Sequence, residues 1–185
     1  LVLRPDCAPA RAAQLGFVAA LGLGDALRPL VGPVLQPRYK WPNDLLMNHR
    51  KLAGILLESE TTATDRVDFV VLGVGVNILS APEDVEFPAT SLAAEGIAGV
   101  TPVILLEGFV GQFTGWAERW RAEGFAPLRT AWLARASGVG ERIRVRLDHV
   151  TLFGQFQGLD DDGALVLDGA DGRRRVAAGD VFPAA

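Results

Sequence analysis

A single cysteine, two histidines and two lysines among 185 residues close off several kinds of chemistry before any motif is considered. One cysteine excludes a disulfide within the chain, and with two histidines it cannot build a zinc site of the usual ligand set. Cys7 has no histidine near it in sequence and reads as an ordinary small residue near a strand end, which fits a reducing cytoplasm. The longest apolar stretches, such as residues 17–23 and 69–76, fall well short of a membrane span. No basic leader precedes a signal-type apolar segment, so a soluble protein is expected. Eighteen basic against twenty-two acidic residues give a net charge of −4, which argues against a general attraction to nucleic acid or anionic membrane. The chain is 49% hydrophobic and 22% charged, an ordinary globular composition with room for one medium domain or one plus a small module. It opens on Leu1-Val2-Leu3 without an initiator methionine, as an excised piece of a longer protein would.

The scarcity of lysine points to chemistry. Sixteen of the eighteen cations are arginine, yet Lys40 and Lys51 both fall within one dense segment, KWPNDLLMNHRKLAGILLE. Lysine presents a compact charge with three rotatable donors, where arginine presents a rigid planar fork. A compact cation suits a carboxylate or phosphate held while it reacts.

Residues 1–4 read as a strand end. Apolar spacing over residues 9–30 predicts one helix, with Pro9 in its first turn, close packing at Gly22 and Gly24, and a stop at Pro29, Gly32, Pro33 and Pro37. A short strand at 38–41 is followed by a Pro42-Asn43-Asp44 turn. Residues 52–60 and 68–78 read as an antiparallel pair, and 80–100 as a loop with one helical turn at 91–95. The most secure helix covers residues 102–123, and a shorter one 125–136. Beyond Gly138 the pattern turns to four or five short strands, hence a small barrel. The fold expected is α+β, a mixed or antiparallel sheet with flanking helices over residues 1–137 and the barrel over 138–185.

Within the lysine segment, Pro42 forces an abrupt exit from a strand, and Asn43 and Asp44 project an amide and a carboxylate from the turn. Asp44 could hold magnesium or orient a hydroxyl. Gly54 follows Lys51 by three residues and leaves a gap where a ligand could reach the backbone. In VLGVGVNI, Gly73 and Gly75 alternate in an apolar strand and so share one face, with Asn77 at its edge. A dinucleotide fingerprint is excluded, because Ile78 stands where the third glycine belongs. Arg142, Arg144 and Arg146 share a face, with Arg173, Arg174 and Arg175 close by in sequence; a solvated face, or a docking surface for an acidic partner domain, fits better than a nucleic-acid patch. The run Asp160 to Gly163 lacks the ligand ladder of a calcium loop and reads as a hairpin turn.

The segments KWPNDLLMNHRKLAGILLE and VLGVGVNI closely resemble biotin protein ligases, within the biotin/lipoate protein ligase group. The likeness continues through Pro88-Ala89-Thr90-Ser91-Leu92 and into FGQFQGLDDDGALVLDG, which looks like the SH3-like domain that ends these enzymes. The resemblance implies a class II synthetase-like catalytic fold. It also implies joining of biotin and ATP, with Mg2+, into biotinyl-AMP, then transfer to a lysine of a biotin carboxyl carrier domain. By the same resemblance Lys51 contacts the biotin carboxylate and the adenylate phosphate as the catalytic residue. Gly54, Gly73 and Gly75 line the biotin pocket. Lys40, Asn43, Asp44, Val76 and Asn77 serve the ATP end, with Asp44 toward magnesium. The family's arginine- and glycine-rich loop, and the Ser/Thr and Gln that meet the biotin ring, come before the strand matching residues 1–3. A DNA-binding N-terminal domain would also precede it, so DNA binding is not expected of this chain, while a homodimer stays open. A lipoate–protein ligase, and a non-catalytic homologue that holds biotin or a carrier domain, are the rival readings.

Overall fold

The computed structural model describes residues 1–32 and 35–184. A first sheet collects β1 (Val2–Leu3), β2 (Arg38–Lys40), β3 (Asp44–Met47), β4 (Arg50–Thr61) and β5 (Val67–Val76) in the order β1-β5-β4-β3-β2, every pair antiparallel. On one face lie α1 (Pro9–Ala13), α2 (Leu15–Val31), α3 (Pro102–Glu123) and α4 (Ala126–Leu133). A second antiparallel sheet has β6 (Arg142–Arg146), β7 (Thr151–Leu159), β8 (Leu165–Gly169), β9 (Gly172–Val176) and β10 (Asp180–Pro183) in the order β10-β6-β7-β8-β9. The architecture is α+β, with α3, α4 and the small C-terminal sheet within the stretches the sequence predicts for them.

The helical stretch at residues 9–30 is two helices, not one. Gln14 separates α1 from α2; its buried side chain accepts a 2.8 Å hydrogen bond from Trp120 Nε1. Pro29 does not stop α2. It lies within the last turn, where only the bond from its own missing N–H is lost, and Gly32 at φ +71° ends the helix. Pro33, also expected to end it, lies outside the described residues. Helix α2 is buried nearly all round, because it sits between the sheet and α3. A Cβ on Gly22 would come within 3.0 Å of the Phe113 backbone, and one on Gly24 would collide with the Tyr39 hydroxyl, so both glycines are set by close packing.

Strand β3 carries no alternation to betray it. All four of its residues are buried, and it lies between two turn signals, so a period of two never appears. Asn48 and His49, both at positive φ, make the tight turn into β4.

Along α3, Leu105, Phe109, Phe113, Ala117 and Trp120 are buried, whereas Leu106 and Val110 are exposed, so the apolar stripe is narrower than its sequence spacing suggests. The small sheet is fastened to the rest at the β7–β8 turn. Trp41 Nε1 donates 3.1 Å to the carbonyl of Gly163, whose Cα lies against the rings of Phe17 and Phe125. The run from Asp160 to Gly163 is a hairpin turn, with Asp160 Oδ1 accepting from the N–H groups of Asp162 and Ala164 at 2.9 Å each. No described helix is long and apolar enough to cross a membrane.

Candidate active site

Strands β3, β4 and β5 turn one face to the helices and leave the other open. On the helix face lie Leu57, Ile55 and Ala53 of β4, opposite Leu72, Val74 and Val76 of β5. On the open face Gly54 pairs with Gly75, Leu56 with Gly73, and Asp44 of β3 with Gly54. Gly54, Leu56, Gly73 and Gly75 border a shallow depression with Asn43 at its rim. Leu56, 59% exposed, forms part of its floor.

Regular alternation would put Lys51 and Gly54, three apart, on opposite faces. A register shift between Leu45 and Leu46 prevents this: Ala53 pairs with Leu45, but Lys51 pairs with Leu46. The extra residue, Leu52, makes a bulge that re-aims Lys51 over the open face. Its Nζ and Cε then lie 3.4 Å from where a Gly54 Cβ would stand.

Both lysines of the chain converge on Asp44. Lys40, facing Asp44 across the β2–β3 pair, donates from Nζ to Oδ2 at 3.0 Å. Lys51 Nζ lies 2.5 Å from Oδ1, an ion pair lacking the alignment of a hydrogen bond. The carboxylate is 7% exposed and the Lys40 side chain 11%, whereas the Lys51 side chain is 41% exposed. Lys40 is also capped by the Phe87 ring, 4.7 Å from Nζ to centroid. Asp44 is the only carboxylate that pairs with either lysine among the described residues. The cluster therefore carries one positive charge in excess, on its exposed member.

This geometry corrects several expectations. Asp44 does not project from a turn; it begins β3, buried, with both oxygens engaged by ammonium groups. Those cations fill the positions a metal would need, and no group of three or more His, Cys, Asp or Glu among the described residues could hold an ion. The residues present do not fit a protein-held magnesium. Val76 turns its side chain to the helix face, into a cleft lined only by apolar residues including Leu72 and Phe109, so no more than its main chain could meet a ligand on the open face. Asn77 lies past the end of β5 and spends its amide on the Thr90 carbonyl at 3.0 Å and the Lys51 carbonyl at 3.4 Å. Asn43 is exposed at the rim, its Nδ2 donating 2.7 Å to the Ile55 carbonyl. Lys40, Asp44, Lys51, Gly54, Gly73 and Gly75 are thus brought together.

Gly73 and Gly75 are not glycine for the sake of internal packing. A Cβ on Gly73 would meet nothing nearer than 3.8 Å, and one on Gly75 only the Gly54 carbonyl oxygen at 4.0 Å. Glycine weakens a strand, so its presence at two open positions points to something laid flat on the backbone.

Four of the six arginines singled out in the C-terminal strands are paired with carboxylates. Arg144 and Arg146 pair with Glu86, Arg174 with Asp171, and Arg175 with Asp160 and Asp162. Strands β6 and β9 are separated by β7 and β8, so the two arginine runs are not neighbours. Phe87, a lone aromatic in a Pro- and Glu-rich loop, gave no periodic signal from which its place over Lys40 could be read.

Residues 1–134 match the Biotin/lipoate A/B protein ligase family, and residues 138–182 match the Biotin protein ligase C terminal domain. The chain is similar to the biotin–[acetyl-CoA-carboxylase] ligase of Paracoccus denitrificans, 44% identical over 187 residues that cover 98% of this chain and 78% of that protein. It is 35% identical to the bifunctional ligase/repressor BirA of Bacillus subtilis over 192 residues, 98% of this chain and 56% of that protein. In fold it resembles the apo structure of biotin protein ligase from Aquifex aeolicus, at 19% identity and a TM-score of 0.81 over 94% of this chain and 76% of that one.

Proposed function

The chain belongs to the biotin/lipoate A/B protein ligase family, and from that membership we propose that it joins biotin to a lysine of a biotin carboxyl carrier domain through biotinyl-AMP. The division into a catalytic unit over residues 1–137 and a C-terminal unit over 138–185 is part of the same proposal. One observation carries it: the uncompensated charge of the Lys40–Asp44–Lys51 cluster sits on Lys51, beside a strip of backbone bared by Gly54, Gly73 and Gly75.

In the first step an oxygen of the biotin carboxylate attacks the α-phosphorus of ATP, and the bond to the departing pyrophosphate breaks. Two anionic groups must approach each other, and a fixed ammonium between them lowers the cost most where charge gathers in the transition state. Lys51 is placed for that role, with Asp44 holding its Nζ beside Gly54. In the second step the neutral amine of the acceptor lysine attacks the biotinyl carbonyl; the amide forms, AMP leaves with the bonding pair, and the nitrogen gives up one proton to solvent. Biotin would lie along the glycine strip and the nucleotide toward Asn43 and Lys40. ATP would bring magnesium on its own phosphate oxygens, since Asp44 is already engaged by two ammonium groups.

A streptavidin blot of a carrier domain incubated with the chain, biotin and ATP tests the reading. Labelling that disappears in Lys51→Ala is expected. No labelling from the wild type, with biotin bound in calorimetry, would make the chain a binding homologue and overturn the ligase reading.

A further inference from the structure

The segment 86–90 runs between the two sheets, and each of its residues meets something of consequence. Glu86 Oε2 accepts 2.7 Å from Arg146 Nη1 on β6, and its Oε1 lies 3.7 Å from Arg144 Nη2. Both guanidinium groups lie over the ring of Phe182 on β10, at 4.7 and 4.9 Å, so one end of the segment is fastened to the C-terminal sheet. The next residue, Phe87, lies against Lys40 Nζ. The Pro88 carbonyl accepts 2.7 Å from the Lys51 N–H, and the Thr90 N–H donates 2.9 Å to the Lys51 carbonyl. The far end is held where Glu95 accepts from Thr90 Oγ1, Asn48 and Arg50 at 2.6–2.8 Å.

We infer that Glu86 is a positioning residue for both lysines: by tying segment 86–90 to Arg144 and Arg146, it keeps Phe87 over Lys40 and the segment's backbone against Lys51. The C-terminal sheet thereby bears on the cation cluster of the first sheet without touching it. What this says of the rate rests on the ligase reading; what it says of the lysines does not. The Glu86 ion pairs are exposed, so the expected effect is modest, about two- to fivefold.

With only two lysines in the chain, labelling with [ε-13C]lysine gives two side-chain signals, resolved without further assignment work than one Lys51→Arg variant. In the wild-type chain the Lys40 signal is expected to be displaced by the ring current of Phe87, whose centroid lies 4.7 Å from Nζ. Glu86→Gln is expected to return it toward the free-lysine position and to lower kcat for biotinyl-AMP formation about two- to fivefold with KM for biotin unchanged. Glu86→Asp, which keeps a carboxylate for Arg144 and Arg146, is expected to hold both closer to the wild type, which a general loosening of the fold would not allow. A Lys40 signal that stays in place in Glu86→Gln overturns the inference, even if the rate falls. Movement of the signal in Glu86→Gln but not in Glu86→Asp, in a chain that makes no biotinyl-AMP, upholds the inference and sinks the ligase reading instead.

Discussion

Lys51 and Gly54 share one face of the sheet although three residues separate them, because the bulge at Leu52 breaks the alternation between them. A cation is thereby placed over a position that has no side chain, and Asp44 fixes it from the neighbouring strand. The two lysines that looked alike in sequence separate into a buried anchor and a half-exposed working charge.

That division predicts opposite costs. Lys40 and Asp44 form a buried pair; Asp44→Ala strands the buried Lys40 ammonium and should lower stability by about 3 kcal/mol, whereas Lys40→Ala leaves Asp44 paired with Lys51 and should cost less. Lys51 is partly solvated, and Lys51→Ala should cost under about 1 kcal/mol. Its biotinyl-AMP formation should nevertheless fall about 100- to 1,000-fold, the loss seen when one charge-stabilising contact is removed from a transition state. Urea denaturation beside a pyrophosphate-release assay checks both halves.

Two glycines offer a second contrast. At Gly22 a methyl group meets the Phe113 backbone at 3.0 Å, so Gly22→Ala should destabilise the fold by about 1–3 kcal/mol. At Gly75 the nearest atom is 4.0 Å away, and Gly75→Ala should leave the melting temperature unchanged or slightly raised. The same methyl stands in the proposed biotin slot, and affinity by titration calorimetry should drop about tenfold or more.

The β7–β8 turn should respond to acid. Burial pushes the Asp160 carboxyl upward, but the hydrogen bond from Arg175 and those from the Asp162 and Ala164 N–H groups outweigh it and hold its pKa below 3.8. The folded chain then binds fewer protons here than the unfolded chain. This stabilisation is present above pH 3.8 and is lost as pH falls through the depressed folded value. Asp160→Asn should melt below the wild type at neutral pH, and the two melting curves should converge as the pH drops under 3.8.

Trp41→Phe keeps an aromatic ring but removes the pyrrole part of the buried indole and with it the donor to the Gly163 carbonyl. The orphaned carbonyl should cost about 1–3 kcal/mol, read from chemical denaturation, and the loss should not be additive with Gly163→Ala because both act on the same turn.

Much of this molecule is legible in its sequence, for identifiable reasons. Helix α3 announces itself through Leu105, Phe109, Phe113 and Trp120, spaced to bury one face. Gly73 and Gly75 keep strict alternation, so their shared face follows from the pleat alone. Strand β3 is invisible because Asp-Leu-Leu-Met is buried throughout and carries no period. The break at Gln14 depends on a partner, Trp120, that is distant in sequence. The family resemblance gives Val76 and Asn77 to a ligand, yet their surroundings turn the Val76 side chain to the helix face and engage Asn77 in holding Lys51 and Thr90. The bulge at Leu52 leaves no local mark either, since it is a mismatch between two strands and belongs to neither.

An acyl adenylate is a reactive species toward any neutral primary amine it meets. The chain's two side-chain amines are both drawn onto Asp44, and its other sixteen cations are guanidinium groups that stay protonated and are poor nucleophiles at neutral pH. On the proposed reaction, an intermediate escaping along the surface of this chain meets almost no free side-chain amine to acylate. The activated biotin is left for the lysine of another protein.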